Sequence, residues 1–204
     1  MRERLSGRNP IYEALRANRR QFFRLLLVEG GQVKGRLADI VQLCQQKKIP
    51  VERVPRARLD DMAQNHQGVV LEASGYPYAT LYDILAAAAE RHEQPFILIL
   101  DILQDPQNFG ALLRTAESVG IHGVLLPLRH TVTVTPAVVH ASSGASEHLL
   151  IAQVNLAQAM ADLKALADAV ISGNKNKAVE LTKQAWAEKV PPEQVLQKGL
   201  VAGM

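Results

Sequence analysis

The amino-acid sequence predicts an α/β fold, because short apolar runs of strand length alternate with segments in which apolar residues recur at helical spacing. The clearest unit begins with the fully apolar run from Phe96 to Leu100, which predicts a buried strand. A turn at Asp105 and Pro106 follows. The next apolar residues recur as in a helix that Gly120 would end: Leu112, Leu113, Ala116 and Val119. Since 48% of the 204 residues are hydrophobic, we expect a packed core around such units.

Residues 1–75 predict a small α/β domain of their own. Asn9 and Pro10 mark the start of a helix that runs through Ile11, Ala14 and Leu15. The further predicted elements are a strand from Phe23 to Val28, a helix from Leu37 to Gln46, a strand from Ile49 to Val54, a short helix from Leu59 to Met62 and a strand from Gln67 to Ala73. We interpret His66 as a turn residue before the last of these strands. The alternation predicts a small mixed or parallel sheet.

The charge of the chain is concentrated at its beginning. Residues 1–75 carry 14 Lys and Arg against 8 Asp and Glu, whereas the remainder carries 9 against 12. The first 24 residues alone contain seven arginines: Arg2, Arg4, Arg8, Arg16, Arg19, Arg20 and Arg24. A basic first part joined to a mildly acidic second part indicates contact with phosphates. Charge alone leaves a merely solvated basic face equally open.

The rest of the chain continues the α/β alternation. Residues 76–92 predict a linker with an alanine-rich helix from Leu81 to Ala89, and the tyrosines Tyr76 and Tyr78 could either stack on bases or pack the linker. The later predicted elements are a strand from Gly123 to Pro127, a helix begun by Thr135 and Pro136, a strand from Leu149 to Val154 and a helix capped by Asn155. The small-residue turn from Ser142 to Ala145 could admit a substrate to the backbone or allow close helix packing.

Other composition signals limit the functional classes. The single cysteine, Cys44, excludes a disulfide framework within the chain, fits an apolar helical pattern and is interpreted as a small core residue in a reducing compartment. No apolar run approaches the length of a membrane span, and no signal peptide opens the chain. We therefore expect a cytoplasmic protein without a membrane partner, and the pattern contains no metal site.

The segment Asn-Phe-Gly-Ala-Leu-Leu-Arg-Thr-Ala at residues 108–116, with Gly120 following, resembles the first signature motif of the SpoU (TrmH-type) RNA 2′-O-ribose methyltransferases. The opening GRNPIYEAL, the later HQGVV and the block HTVTVTPAVVHASSGASEHLLIAQVNLAQAMADLK extend the resemblance to the bacterial rRNA members. It implies an RNA substrate-binding domain over residues 1–75, a linker over 76–92 and a parallel α/β methyltransferase domain of the trefoil-knot type over 93–165. It also implies S-adenosylmethionine as cofactor, RNA as partner, a homodimer, and 2′-O-methylation of a guanosine in 23S rRNA.

Two residues of the first motif carry the catalytic expectation. By resemblance, Arg114 activates the ribose hydroxyl and Asn108 orients the substrate and the loops around it. A guanidinium is not a base at neutral pH, so the physical role open to Arg114 is to hold the target phosphate and to lower the pKa of the hydroxyl by its charge. For phosphate contacts in the first domain we predict Arg8, Arg16, Arg19 and Arg20.

The family pattern ends at about Ala165. The glycine-rich segment with a glutamate and the Asn-Val-Ser segment that hold the cofactor in the family do not appear after it, so the cofactor-binding residues stay unassigned. Residues 166–204 predict a helical tail that resembles the start of a corrinoid-protein cap domain, without the cobalt-ligating histidine motif. An incomplete sheet would leave an apolar edge strand. The alternatives are therefore a methyltransferase of reduced or absent activity, a non-catalytic RNA-binding protein, and a truncated or fused gene product.

Overall fold

The computed structural model describes residues 2–172 together with residues 176 and 180. Within these residues the strands are β1 (Arg2–Ser6), β2 (Phe22–Val28), β3 (Val51–Val54), β4 (Val69–Ser74), β5 (Ile97–Ile99), β6 (Gly123–Pro127) and β7 (Leu150–Val154). The α-helices are α1 (Arg8–Ala17), α2 (Arg36–Gln46), α3 (Arg56–Asp60), α4 (Leu81–Glu90), α5 (Pro106–Ser118), α6 (Pro136–Ala141) and α7 (Leu156–Ile171), and a short 3₁₀ turn spans Ala145–Glu147. The α/β class predicted from the sequence is confirmed.

The described chain forms two compact units. The first unit comprises residues 2–77, 104–119 and 132–149, and the second comprises residues 78–103, 120–131 and the described residues from 150 onward. The division does not follow the predicted segments, because α5, α6 and the 3₁₀ turn group with the amino-terminal sheet. The predicted boundaries at residues 75, 92 and 165 therefore remain predictions.

The sheet of the first unit has the order β1-β4-β2-β3. Strand β4 pairs antiparallel with both β1 and β2, while β2 and β3 are parallel. Strand β1 was not predicted, because three of its five residues are charged and only Leu5 is buried. Pairing with β4, which comes more than sixty residues later, supplies the backbone hydrogen bonds that the local pattern does not indicate.

Different helices pack against the two faces of this sheet. Helix α1 packs against α2, β1 and β4, and its buried residues are Pro10, Ile11, Ala14 and Leu15. Cys44 is fully buried on α2, and burial raises the pKa of its thiol to about 11, which agrees with a core residue. On the other face Leu26, Val54, Leu59 and Val70 form a cluster beneath α3.

Helix α5 differs from its prediction in two respects. It begins at Pro106, within the predicted turn, with Asp105 as its cap, and Asn108 lies inside its first turn. Its buried stripe is Phe109, Gly110, Leu113 and Ala116, whereas the predicted stripe residues Leu112 and Val119 are exposed. Helix α6 begins after Thr135 as predicted, but the Thr135 side chain makes no capping hydrogen bond.

The second unit contains the parallel sheet β5-β6-β7. Helices α4 and α7 enclose a core cluster of Ile84, Leu125, Ala152 and Ala159. Thr80 and Asp83 form a capping box at the start of α4, and Asn155 accepts a hydrogen bond from the backbone of Gln158 in the first turn of α7.

Strand β5 is an edge of this sheet, not the buried strand that its apolar sequence predicted. Among the described residues it pairs with β6 alone, and the flanking Phe96 is 54% exposed. Ile99 within the strand is also exposed. The expectation of an apolar edge strand is thereby met in the described part of the chain. The predicted helix beyond residue 173 and the corrinoid-like tail lie almost wholly outside the described residues.

Candidate functional site

Arg114 lies on the exposed side of α5 and lines a cleft of about 420 Å³. The cleft belongs to the first unit, and three pieces of chain form it: α1, α5 and the stretch from residue 142 to residue 148. Its other lining residues are Glu13, Arg16, Glu117, Ser118, Ser142, Ser143, Ala145 and His148. The structure therefore presents Arg114 at an open surface rather than in an apolar interior.

Two glycines allow the backbones around this cleft to approach closely. A Cβ on Gly110 of α5 would lie 2.5 Å from the Cβ of Ala141 and 2.7 Å from the amide nitrogen of Ser142. A Cβ on Gly144 would lie 2.7 Å from the Cβ of Glu13, and Gly144 has a φ of 91° that favours glycine. Of the two interpretations left open for the turn at residues 142–145, close packing is the one that Gly144 supports.

The charges in the cleft are unevenly partnered. The Glu13 carboxylate accepts a hydrogen bond from Arg16 Nη1 at 3.3 Å and lies 2.9 Å from His148 Nε2. Within residues 2–172, by contrast, no hydrogen bond or ion pair engages the Arg114 guanidinium. A positive charge that is exposed and unpaired beside small hydroxyl side chains is available to an anionic ligand such as a phosphate.

Asn108 does not share this cleft with Arg114. Its backbone N–H donates to the Asp105 carboxylate at 2.8 Å, and its side chain is exposed. Six residues of α-helix separate it from Arg114, which corresponds to a rise of about 9 Å and a rotation of about 120° between the two side chains. The structure places both predicted catalytic residues on one helix but on different faces of it.

The four arginines predicted to contact RNA fall into two pairs. Arg8 and Arg16 are exposed. Arg8 donates from its backbone and its Nε to Gln67, at 3.0 and 3.3 Å. Arg19 turns inward and donates to the carbonyl of Pro77 at 3.1 Å, to the Tyr76 hydroxyl at 3.1 Å and to the carbonyl of Leu149.

The Arg20 side chain is fully buried in an ion-pair network. Its Nε and Nη2 donate to the two carboxylate oxygens of Glu147 at 2.8 and 2.9 Å, and its Nη1 donates to Glu3 at 2.6 Å and to the carbonyl of Ser74 at 2.9 Å. Burial alone would lower the pKa of Arg20, but the hydrogen bonds and charges of Glu147 and Glu3 outweigh it and raise the pKa. No donor of Arg20 points to solvent in this arrangement, so we assign Arg20, and with it Arg19, to the fold rather than to phosphate binding.

Arg2 and Arg4 are not among the arginines predicted to contact phosphates, although both are exposed on β1. The signal available for them was the alternation in Arg-Glu-Arg-Leu-Ser, which places Arg2 and Arg4 on one side of a strand and Glu3 and Leu5 on the other. Glu13 and His148 were missed for a different reason. They meet across 135 positions of sequence, and no local pattern connects them.

The described part of the chain offers neither a metal site nor a membrane-spanning helix. It contains no group of His, Cys, Asp or Glu arranged to hold a metal ion. None of its helices has the length and apolar character that crossing a membrane would require.

Two protein-family models match the chain. Residues 4–79 match a model described as RNA 2′-O ribose methyltransferase substrate binding, and residues 95–194 match the SpoU rRNA methylase family. The family pattern in the sequence ends at about Ala165. The second match continues past that residue into the segment that was predicted to be a separate helical tail.

Individual relatives agree with these models. A Bacillus subtilis protein named for the TrmH family of tRNA/rRNA methyltransferases is 42% identical over 160 residues, covering 78% of this chain and 64% of its own length. A Staphylococcus aureus protein of the same name is 39% identical over 141 residues, covering 68% of this chain and 57% of its own length. The chain thus spans about three-fifths of the length of these relatives. The solved structure of the SpoU methyltransferase AviRb from Streptomyces viridochromogenes in complex with AdoMet superposes with a TM-score of 0.63 at 20% identity, over 82% of this chain and 60% of that one.

Proposed function

Because this chain belongs to the SpoU (TrmH) family of RNA methyltransferases, we propose that it takes part in transferring a methyl group from S-adenosylmethionine to a ribose 2′-hydroxyl of rRNA, with a guanosine of 23S rRNA as the target. The proposal joins the two family matches, one for substrate binding and one for the methylase, within one chain. The homodimer and the cytoplasmic location implied by the resemblance remain predictions beside it.

The observation that carries the proposal is the exposed guanidinium of Arg114, which lines a cleft and has no hydrogen-bond or ion-pair partner within residues 2–172. A guanidinium keeps its proton at neutral pH and cannot serve as a general base. It can bind the phosphate next to the target ribose and, through its charge, lower the pKa of the 2′-hydroxyl. Holding the hydroxyl in line for attack adds to the rate enhancement, because it removes the entropy of bringing two molecules together.

The remaining side chains of the cleft suit the RNA side of this reaction. Arg16 presents a second positive charge, and the hydroxyl groups of Ser118 and Ser143 can donate to phosphate oxygens. Glu13 accepts a hydrogen bond from Arg16 and lies 2.9 Å from His148 Nε2, so its carboxylate is engaged within the cleft, where Glu117 adds a second carboxylate. These residues bind and orient RNA, and the proton that the 2′-hydroxyl loses as it is methylated passes to solvent water, because Arg114 is already protonated.

The cleft of Arg114 does not fit the methyl donor. S-adenosylmethionine needs an apolar or aromatic surface for its adenine ring, and pockets for such cofactors are lined mainly by apolar groups. Apart from Ala145, the residues that line this cleft are polar or charged. The cleft therefore suits the RNA rather than the donor, and the residues that bind the donor stay unassigned.

That mismatch favours a second candidate, an RNA-binding protein of the same family that does not catalyse transfer. It shares the RNA-binding features of the first unit and differs only in the absence of methyl transfer. Calorimetric titration of the chain with S-adenosylmethionine distinguishes the two. Binding at micromolar concentration favours the enzyme, and no heat of binding beside measurable RNA binding favours the second candidate.

The direct test of the proposed function is transfer of labelled methyl groups from S-adenosylmethionine to rRNA that lacks the modification. We expect Arg114→Ala to slow transfer at least about 100-fold, the loss that follows removal of one preorganised charge-stabilising donor, while RNA affinity at about 0.1 M salt falls by no more than about fivefold, the loss of one phosphate contact. Arg91→Ala, at the exposed end of α4, is the control and should transfer normally. Normal transfer by Arg114→Ala would remove this residue from the mechanism.

A further inference from the structure

We propose that the first unit carries a second RNA site, separate from the cleft of Arg114, in which Arg2 and Arg4 bind the phosphates of a single-stranded RNA segment. The site is a cleft of about 790 Å³ on the face of the four-stranded sheet that α1 does not cover. The proposal deepens the proposed function, since it rests on RNA being the substrate and specifies where the substrate is held.

Strand register forms the floor of this cleft. Arg4 of β1 is paired with Glu72 of β4, and Glu72 is in turn paired with Arg24 of β2. Paired residues of neighbouring strands project to the same face, so the three side chains form a row across the sheet. Arg2 lies two residues before Arg4 and projects to the same face.

This row, together with Arg2, contains three arginines and one carboxylate. That carboxylate is already engaged by Arg24. Arg24 donates to both oxygens of Glu72, at 2.9 and 3.0 Å, and this pairing lowers the pKa of Glu72 so that it stays ionised. Arg2 lies 4.0 Å from Glu72 and its side chain is 66% exposed. Arg4 is exposed and has no hydrogen-bond or ion-pair partner within residues 2–172. The charges of Arg2 and Arg4 also help to lower the pKa of Glu72, but both side chains stay exposed to an external anion.

Arg2 is also held in place by an aromatic ring. Its guanidinium lies over Phe23, with its central carbon 4.4 Å from the ring centroid. Such stacking leaves the N–H groups at the edge of the guanidinium free to donate to phosphate oxygens. It also reduces the side-chain entropy lost on binding, because the Arg2 side chain is ordered before the ligand arrives.

The walls of the cleft carry groups that can recognise unpaired bases. Gln64 and Asn65 come from the loop before β4, Gln107 comes from α5, and His140 comes from α6. An amide offers both a donor and an acceptor and can therefore pair with the edge of a base. In duplex RNA those edges lie in a deep groove that side chains do not reach, whereas a single strand exposes them. A cleft of this volume admits a ligand of roughly one or two nucleotides.

The same helix links this cleft to that of Arg114. Gln107 and Arg114 are seven residues apart on α5, a rise of about 10 Å along the helix. No residue lines both clefts. RNA that contacts Gln107 in this cleft would therefore lie about two helical turns along α5 from Arg114, which is proposed to meet the target phosphate.

The test is fluorescence anisotropy with the full 204-residue chain and a labelled single-stranded ribonucleotide 10-mer, titrated from 0.1 to 1 M salt. Each phosphate contact on a single strand contributes about 0.7 to the slope of log affinity against log salt concentration, so losing two contacts should weaken binding about 25-fold at 0.1 M salt relative to 1 M salt. We expect this result for Arg2→Gln/Arg4→Gln, with a slope smaller by about 1.4.

The matched control is Arg53→Gln. Arg53 is exposed on β3 of the same sheet and is paired with Leu27, so it projects to the opposite face. It should leave both affinity and slope unchanged, and thermal unfolding should show that both variants remain folded, because Arg2, Arg4 and Arg53 are all exposed. A blunt duplex of the same sequence should bind more weakly and be insensitive to the double substitution.

The outcomes separate this inference from the proposed function. Single-strand binding by the double variant that equals that of Arg53→Gln overturns the inference and leaves the proposed function standing. Equal losses for the duplex overturn the single-strand assignment, and tight competition by a polyglutamate peptide would show that the cleft takes acidic protein instead. A wild-type chain that binds no RNA would overturn the inference and the proposed function together. It is the only one of these outcomes that contradicts RNA as the substrate.

Discussion

Replacing Arg20 by Met tests whether this arginine belongs to the fold or to RNA binding. The substitution keeps much of the apolar volume but removes a guanidinium that donates to Glu147, Glu3 and the carbonyl of Ser74. Glu147 is only 1% exposed and would become a buried carboxylate without its partner. Breaking a buried ion pair from one side costs about 3–5 kcal/mol, so we expect the free energy of unfolding to fall by that amount.

The assay is equilibrium urea unfolding followed by far-ultraviolet circular dichroism. Arg16→Met is the matched control, because Arg16 is 56% exposed, pairs with Glu13 at 3.3 Å and should change the free energy of unfolding by at most about 1 kcal/mol. Arg20→Met/Glu147→Leu should regain most of the lost stability, since an apolar pair of similar volume removes both the buried charges and their desolvation cost. The recovery isolates the coupling between the two side chains.

One result would refute this reasoning. If Arg20→Met unfolds at the wild-type urea concentration while the slope of RNA affinity against salt falls by about 0.7, then Arg20 contacts a phosphate and the buried network is not its role. A large loss of stability with an unchanged salt slope in the folded variant supports the structural assignment. The two outcomes are measured on the same sample, so expression differences between variants do not affect the comparison.

Three further predictions follow from single residues. Gly144→Ala should lower the free energy of unfolding by about 1–2 kcal/mol or more, measured by urea unfolding. Alanine is strained at this left-handed φ, and its Cβ would lie 2.7 Å from the Cβ of Glu13. The Arg24 hydrogen bonds lower the pKa of Glu72 in the folded state. The stability that Glu72 contributes is therefore fully present above about pH 4.5 and is lost as the pH falls through the lowered pKa. Glu72→Gln should flatten the acid limb of a plot of unfolding free energy against pH. Burial raises the pKa of the Cys44 thiol to about 11, so a thiol reagent at pH 8 should label it only on unfolding, and rapid labelling of the native chain would contradict its core position.

Local patterns determined much of the fold in advance. The apolar spacing of α1, α2 and α4 and the apolar runs of β2, β6 and β7 predicted those elements to within a few residues. Failures occurred where tertiary pairing overrides local pattern. Strand β1 is mostly charged and is held by β4, while β5 is wholly apolar and nevertheless lies at an exposed edge. Neither the pairing of β1 nor the edge position of β5 can be predicted from the spacing of apolar residues within the strand.

The candidate site divides in the same way. The motif around Arg114 was recognisable because its residues are close together in the sequence, and the structure places that arginine on an open cleft. The arginines of residues 1–24 are all the same residue type, yet Arg20 is fully buried whereas Arg4 is exposed. Their different roles depend on Glu147 and Glu72, which lie far along the chain.

The sequence by itself therefore determined the α/β class, the family and the presence of more positive charge than local carboxylates can neutralise. The tertiary structure alone decided which of those charges face solvent, because a carboxylate 127 residues away can neutralise an arginine only after the chain has brought the two together. Helical and strand periodicity depend on neighbours within a few residues, whereas the pairing of charges depends on strand order, register and the close packing of one backbone against another.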